Sequence, residues 1–127
     1  MLDTIADSPT LKISKEENVI PHYLLQAAYT ADAWGTQIKS PQNVIDRVGP
    51  AIEGLGGKIE SAFYAFGDYD VIAIIQMPDN VSAAAFSVAA AAGGAVKAIK
   101  TTPLMTVEEG LEMMRKAGGA AYRPPGG

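Results

Sequence analysis

The segment Val71–Ile75 constrains the fold more than any other part of the chain, because every residue in it is apolar. It lies within Tyr69–Met77, a run rich in β-branched residues that predicts a strand. A strand that is apolar on both faces is usually covered on both sides. We therefore expect it at the centre of a sheet, since either face left in water would expose a large apolar patch.

The chain before this strand predicts a strand, a broken helix and a second strand. Alternating side chains that include tyrosines predict the first strand over His22–Tyr29. Apolar residues at helical spacing predict a helix over Gln42–Gly54, and Pro41 separates it from a short helical turn before it. The second strand is predicted over Lys58–Phe66.

The second strand carries two further expectations. Its alternation places Ile59 and Phe63 on one side and Ala62 on the other. Gly67-Asp68 is expected to form a two-residue turn, because the glycine supplies a positive φ and aspartate suits the turn. The second strand and the central strand would then form a tight antiparallel hairpin.

The chain after the central strand predicts a helix, a strand and a last helix. Val81–Ala92 is rich in alanine, a strong helix former whose small side chain lets a helix lie close to a sheet. Ala95–Thr102 is predicted as a fourth strand, whose lysines and threonines are typical of a sheet edge. Thr106 and Glu109 have the spacing of a capping box, which predicts a last helix that runs to about Ala117.

This order of elements predicts an α+β fold, a ferredoxin-like βαββαβ domain with an extra C-terminal helix and a four-stranded antiparallel sheet. Helices on one face of the sheet leave the other face of the central strand uncovered. The same face of a second copy is the simplest cover. We therefore expect a homodimer packed sheet to sheet, similar to a dimeric α+β barrel, or a higher even oligomer.

Length, composition and charge limit the domain organisation and the classes of function. The 127 residues fit one domain over residues 21–117, with an N-terminal arm over residues 1–20 and a Gly/Pro-rich tail over residues 118–127. With no signal-peptide pattern and no apolar run near the ~20 residues of a membrane span, we expect a cytoplasmic protein that does not bind membranes. The net charge of −4 argues against nucleic-acid binding, and a chain with no cysteine and one histidine argues against a metal site. No cofactor is predicted.

Several short motifs together resemble one known family. The stretch Gly67-Asp68-Tyr69-Asp70 is similar to the motif that gives the GYD-domain family of small bacterial proteins its name. Four further stretches are similar to that family: Pro21-His22-Tyr23, Gly56-Gly57-Lys58, Met77-Pro78-Asp79-Asn80 and Thr101-Thr102-Pro103-Leu104. The resemblance runs from about Pro21 to Ala117 and leaves the N-terminal arm outside it.

The resemblance implies a fold and no single reaction. It implies the ferredoxin-like unit and a similarity to the dimeric α+β barrel group. That group includes cofactor-free oxygenases, isomerases, haem-binding enzymes and regulators that only bind. Carrying one of these activities over to this chain would be an analogy at the level of the fold.

Six residues are candidates for ligand binding: His22, Gln26, Trp34, Tyr64, Tyr69 and Asp70. Asp70 either bonds nearby backbone N–H groups, or acts as a general base or polar anchor beside Tyr69 at the mouth of a pocket. His22 is either a surface or interface residue, or a general base or haem ligand. The aromatic side chains either pack the core and interface, or line a pocket for a flat organic ligand that Gln26, Tyr64 or Asp70 would orient.

Three functions stay open at this point. The first is a homo-oligomeric protein that binds a small apolar or aromatic molecule. The second is a cofactor-free oxygenase-like or isomerase-like enzyme, which needs few protein groups and leaves little trace in a sequence. The third is a non-catalytic assembly or regulatory module. No reaction and no catalytic residue follow from the sequence.

Overall fold

The fold is given by a computed structural model, which describes residues 20–126. The described strands are β1 (His22–Tyr29), β2 (Lys58–Tyr64), β3 (Val71–Gln76) and β4 (Val96–Leu104). The described helices are α1 (Ala31–Lys39), α2 (Val44–Gly54), α3 (Asn80–Ala92) and α4 (Val107–Gly118). The strands form one antiparallel sheet in the order β2-β3-β1-β4. This is a ferredoxin-like fold followed by one further helix, which confirms the predicted α+β class.

Local signals set the helix boundaries. Thr30 caps α1, where its hydroxyl oxygen accepts a backbone hydrogen bond of 3.1 Å. Pro41 falls between α1 and α2, as predicted, whereas α2 begins two residues later than predicted because Asn43 caps it. The capping box of α4 is present, since the N–H of Glu109 donates to Thr106 Oγ1 at 3.0 Å. The region before β2 therefore contains two separate helices.

The core lies on the face of the sheet that α2 and α3 cover, called here the covered face. Tyr23 and Leu25 of β1 lie on it beside Ala73 and Ile75 of β3. They pack against buried helix residues, which are Ile52 of α2 and Ala83 and Phe86 of α3. Burial of each large apolar side chain contributes about 1.5–3 kcal/mol. The covered face is therefore the main source of stability.

The opposite face of the sheet, called here the open face, carries apolar residues too. Leu24 of β1 pairs with Ile74 of β3, and Ile72 lies beside them on the same side. These three side chains are half-buried, whereas Phe63 of β2 is 67% exposed. In the described part of the chain, α2 and α3 lie on the covered face and no residue of α4 is buried. The prediction of a central strand that is apolar on both faces is confirmed.

A β-bulge in β2 changes which side chains share a face. The register against β3 shifts between Ile59 and Ser61, which leaves Glu60 as an inserted residue. After the shift, Ala62 shares the covered face with Ile59, and Phe63 lies on the open face. The prediction that Ile59 and Phe63 share a side is therefore wrong, because the inserted residue reverses the alternation.

The hairpin between β2 and β3 is longer than predicted. Residues 65–70 join the two strands, and the N–H of Ala65 donates to the carbonyl of Asp70 at 2.8 Å. Gly67 adopts a positive φ of 151°, as expected. The prediction of a two-residue turn is wrong, because the N–H of Asp70 donates to the carbonyl of Ala27 at 2.8 Å and so holds the end of the loop against β1.

Gly57 allows α2 to lie close to the sheet. A Cβ atom at this position would overlap the sulfur of Met77 and the carbonyl oxygen of Gln76. The N–H of Gly57 donates to the carbonyl of Ile52 at 3.0 Å, which holds the end of α2 near β2. A residue without a side chain is therefore needed at this point of close approach.

The predicted ends of the chain are only partly within the described residues. Residues 119–126 form neither helix nor strand. The arm predicted over residues 1–20 lies, apart from Ile20, outside the described residues. None of the helices between residues 20 and 126 combines the length and the apolar character that a membrane span requires.

Candidate functional site

An apolar cavity of about 400 Å³ lies between the covered face of the sheet and helices α2 and α3. Leu25, Ile59 and Ala73 line it from the sheet, and Ile52 and Phe86 line it from the helices. Pockets that bind small molecules usually have volumes of ~300–1,000 Å³ and mostly apolar walls. The cavity has both properties, at the lower end of the size range.

The cavity exists because small side chains face one another across this layer. Alanines line it from every side: Ala27, Ala62 and Ala73 from the sheet, Ala51 from α2, and Ala89 and Ala90 from α3. Protein cores are normally close-packed, so larger side chains at these positions would fill the space. The alanine-rich helix α3 thus packs on the sheet and still leaves a cavity between the helix and the sheet.

Two polar side-chain groups lie on the otherwise apolar wall that the structure describes, the hydroxyl of Tyr29 and the guanidinium of Arg47. Nη2 of Arg47 donates to the Tyr29 hydroxyl oxygen at 2.7 Å. Cζ of Arg47 lies 5.7 Å from the centroid of the Tyr29 ring. Tyr29 is buried and Arg47 is exposed. The pair therefore marks the mouth of the cavity.

A shallower groove of about 290 Å³ adjoins the cavity at this mouth. Tyr29, Arg47, Gly93 and Ala95 line both spaces. The rest of the groove carries polar side chains of α1 and its surroundings, namely Thr30, Asp32, Thr36, Gln37 and Gln42. A molecule that occupies the cavity can therefore extend past the Tyr29–Arg47 pair into a polar groove.

Several contacts fix Tyr29 at the end of β1. Its N–H donates to Oδ2 of Asp70 at 2.8 Å. Its ring packs edge-to-face against Trp34, with 5.2 Å between the ring centroids. The register between β1 and β4 shifts between Ala28 and Tyr29, a bulge of the kind that redirects a side chain. Asp70 thus holds the backbone of Tyr29, whose hydroxyl oxygen accepts the hydrogen bond from Arg47.

Two of the six predicted site residues, Trp34 and Asp70, lie beside this mouth. Both contact Tyr29, and neither is among the residues that line the cavity. The carboxylate of Asp70 accepts a backbone hydrogen bond, which is the contact that its structural interpretation expects. A role as general base or ligand anchor stays a prediction.

His22 and Gln26 lie on the open face, away from the cavity. Nδ1 of His22 donates to the carbonyl of Ile20 at 2.8 Å, and Nε2 lies 3.3 Å from Oε2 of Glu60. The same carboxylate oxygen accepts a hydrogen bond of 3.1 Å from Gln76. These side chains form a polar cluster on the face that we expect a second copy to cover.

The aromatic residues do not gather into one pocket within the described residues. Tyr23 and Tyr29 are buried on the covered side, as core packing predicts. Trp34 lies on α1. Four others are exposed or half-buried near the end of β2 and in the following loop: Phe63, Tyr64, Phe66 and Tyr69. The six predicted residues therefore lie in three places: the cavity mouth, the open face and the β2–β3 loop region.

Two titratable groups with displaced pKa values lie together at the start of α3. Burial raises the pKa of the Tyr23 phenol, and the negative charge of Asp79 raises it further. The Tyr23 hydroxyl donates to Oδ1 of Asn80 at 2.6 Å. Hydrogen bonds from the backbone and the side chain of Ser82 lower the pKa of Asp79, which caps α3. Both groups belong to the contact between β1 and α3, and neither lines the cavity.

Arg47 is the candidate that the sequence interpretation missed. It lies three residues after Val44 and four before Ala51, so helical spacing places it on the apolar side of α2. An arginine on an apolar helix stripe is a usable signal, because its alkyl stem can lie along apolar side chains while its charged group reaches the edge of the apolar layer. Its partner Tyr29 is distant in the chain and becomes apparent only in the fold.

The residues that line the cavity and its mouth fall within one family match. A model of the GYD domain matches residues 23–114 of the chain. This range contains Tyr29, Arg47 and Asp70, the residues that build the cavity mouth. No curated protein and no solved structure matches the chain.

Proposed function

The chain belongs to the GYD-domain family, and we propose that it is a homo-oligomeric protein that binds a small apolar or aromatic molecule. The observation that carries the proposal is the cavity of about 400 Å³ between the covered face and helices α2 and α3. An apolar wall with a few polar groups at one end is the usual composition of a small-molecule site.

The apolar wall sets the expected strength of binding. A ligand that buries ~200 Å² of apolar surface gains ~5 kcal/mol at ~25 cal/mol per Å². Part of that gain offsets the loss of free motion on association. We therefore expect a dissociation constant on the order of 1 mM or weaker for a simple apolar probe. A well-fitted natural ligand would bind more tightly.

The described wall of the cavity favours binding over a reaction that needs a general base. The ionisable side chains placed there are Tyr29 and Arg47, with no histidine and no carboxylate among the described lining residues. A cofactor-free oxygenase-like or isomerase-like enzyme is the alternative. One observation favours it: a phenol beside a guanidinium can stabilise an enolate oxygen.

The open face supports the homo-oligomeric part of the proposal. Leu24, Ile72 and Ile74 form its apolar centre, and the exposed ring of Phe63 extends it to one edge. In an isologous dimer the same patch of both copies meets, so one face provides its own partner. A second copy packed sheet to sheet is therefore the occupant that we propose for this face.

The sheet face alone is too small for a stable dimer interface, so we include α4 in the proposed interface. A face of four strands spaced ~4.8 Å apart and ~20 Å long covers roughly 400 Å², whereas a standard interface buries ~800 Å² on each partner. Val107, Leu111 and Met114 recur at helical spacing on α4 and are exposed. We propose that this apolar side of α4 supplies much of the remaining area.

Binding of 1-octanol to the full chain tests the cavity. We expect binding by calorimetry and a change in the fluorescence of Trp34, the one tryptophan of the chain. Ala90→Leu fills the cavity and should weaken binding roughly tenfold. Ala91→Leu adds the same side chain at an exposed position of α3 and should leave binding unchanged.

Two outcomes would overturn the binding proposal. One is the absence of 1-octanol binding to the folded wild-type chain, which would favour an assembly or regulatory module. The other is equal binding by the two leucine variants, which would place the probe elsewhere. Native mass spectrometry of the purified protein adds the subunit count and the mass of any retained ligand in one measurement.

A further inference from the structure

We propose that the mouth of the cavity recognises an anion, so that the ligand is an amphipathic organic carboxylate. Its apolar body would occupy the cavity, and its carboxylate would meet Arg47 and Tyr29. This inference rests on the proposed function and adds the chemical class of the ligand. It is argued from the placement and the unused hydrogen-bonding capacity of these two side chains.

Arg47 is available to an anion. Close contacts between basic and acidic side chains among the described residues join His22 to Glu60 and Arg115 to Glu112, so Arg47 takes part in neither. Its one hydrogen bond in the described structure is the donation from Nη2 to the Tyr29 hydroxyl. A guanidinium has five N–H donors arranged to bind a carboxylate through two parallel hydrogen bonds. Most of these donors therefore remain for a ligand.

Tyr29 adds a second donor at the same point. Its hydroxyl oxygen accepts from Arg47, which leaves the hydroxyl hydrogen to be donated to a ligand oxygen. The ring is buried and its backbone N–H is bonded to Asp70, so the hydroxyl has a fixed position. A carboxylate that enters here would find a guanidinium and a phenol directed at it without a large rearrangement.

The division between the two spaces explains why the ligand should be amphipathic. Behind Tyr29 and Arg47 the cavity wall is apolar, and in front of them the groove is polar. A fully charged small anion would gain nothing from the apolar cavity, and a fully apolar molecule would leave the remaining N–H donors of Arg47 unused. Asp32 lies on the groove and would oppose an anion there, so the carboxylate is expected on the Arg47 side.

A matched pair of probes tests the inference on the full chain. Octanoate and 1-octanol have the same number of carbon atoms and differ in their head groups. We expect octanoate to bind about tenfold more tightly than 1-octanol in low salt, because hydrogen bonds to charged groups are the stronger ones. Calorimetry measures both affinities, and added salt should reduce the difference.

Arg47→Gln should remove the preference for octanoate, so that the two probes bind this variant with similar affinity. Lys116→Gln removes a cation from α4, outside both spaces, and should retain the full preference. Asp32→Asn should increase the affinity for octanoate, since it removes the opposing charge. Thermal unfolding of each variant confirms that the domain is folded.

The possible results separate this inference from the proposed function. Equal affinities for the two probes, or a preference that survives in Arg47→Gln, would overturn the anion site and leave the apolar cavity in place. Failure of both probes to bind would overturn the cavity itself. A preference for octanoate that disappears only in Arg47→Gln would support the proposal.

Discussion

Two neighbouring residues of β3 meet opposite surroundings on the two faces of the sheet. Ile75 on the covered face is 0% exposed, and Ile74 on the open face is half-buried. Both lie in the same strand between the same neighbours, β1 and β2. The difference comes from α2 and α3, which lie on one face only. Burial of this strand is therefore decided by what covers it and not by its own composition.

The two faces also differ in how their space is filled. The covered face combines full burial with small residues such as Ala62 and Ala73, which leaves a cavity. The open face presents large side chains such as Ile72 and Phe63 without a described cover. A sheet face that is covered by helices and encloses a cavity suits a small ligand. An apolar sheet face without a cover suits another protein surface. This contrast is the reason we propose a ligand for one face and a second copy for the other.

The largest expected effect comes from breaking the covered face. Ile75→Ala removes a fully buried side chain and should lower the free energy of unfolding by ~2–5 kcal/mol. Ile74→Ala is the matched control on the open face, and at low protein concentration we expect it to cost less than roughly half as much. Urea unfolding measures both variants. Equal losses would contradict the asymmetry between the two faces.

A charge on the open face should dissociate the proposed dimer. Ile74→Lys would place an unpaired cation in the centre of the interface and should weaken association at least ~100-fold, about 3 kcal/mol. Light scattering after size exclusion should then give a monomer mass for the variant and a dimer mass for wild type.

Val88→Lys is the control for that experiment, because Val88 is exposed on α3 away from the open face. It should keep the mass of wild type. A monomeric wild type at high concentration would refute the sheet-to-sheet dimer, and so would an Ile74→Lys variant that keeps the wild-type mass.

The fold follows from the sequence wherever a signal is local. The alternation of β1, the cap at Thr30 and the capping box of Thr106 and Glu109 depend on residues a few positions apart. The bulge at Glu60 was missed because one inserted residue in a strand leaves no compositional trace. The length of the β2–β3 loop was missed because Asp70 is held by β1, which lies far away in the chain.

The candidate site depends on non-local features and was harder to predict. The cavity needs alanines from three strands and two helices to face one another, and each alanine alone indicates only a helix or a packed strand. Arg47 is held at the cavity mouth by its hydrogen bond to Tyr29, which lies eighteen positions earlier in the chain. Asp70 was singled out by its motif, and its contact with Tyr29 connects that motif to the cavity mouth.

Asp70 offers a smaller and more specific test of that connection. Asp70→Asn keeps an oxygen acceptor and loses its charge, so we expect a loss of about 1 kcal/mol in stability. Because Tyr29 is displaced only slightly, binding of 1-octanol should weaken a few-fold and the oligomer mass should stay unchanged. Asp68→Asn, at an exposed position of the same loop, should alter neither quantity. Identical behaviour of the two variants would mean that Asp70 does not support the mouth.

The smallest expected effect is the loss of stability in alkali, and it should come from the covered face. Burial raises the pKa of Tyr23 above its ordinary value near 10, so the folded state holds this proton more tightly than the unfolded chain. The resulting stability is fully present below the unfolded pKa and is lost as pH rises through the folded pKa.

Wild type should therefore lose stability as the pH rises above the ordinary tyrosine pKa of ~10. Tyr23→Phe removes the titrating hydroxyl together with its hydrogen bond to Asn80, so it should be less stable at neutral pH and decline less steeply in alkali. Tyr122→Phe, at an exposed position in the C-terminal segment, should keep the wild-type slope. A Tyr23→Phe variant with the full alkaline decline would place the sensitive group elsewhere, and the covered face would then be insensitive to alkaline pH.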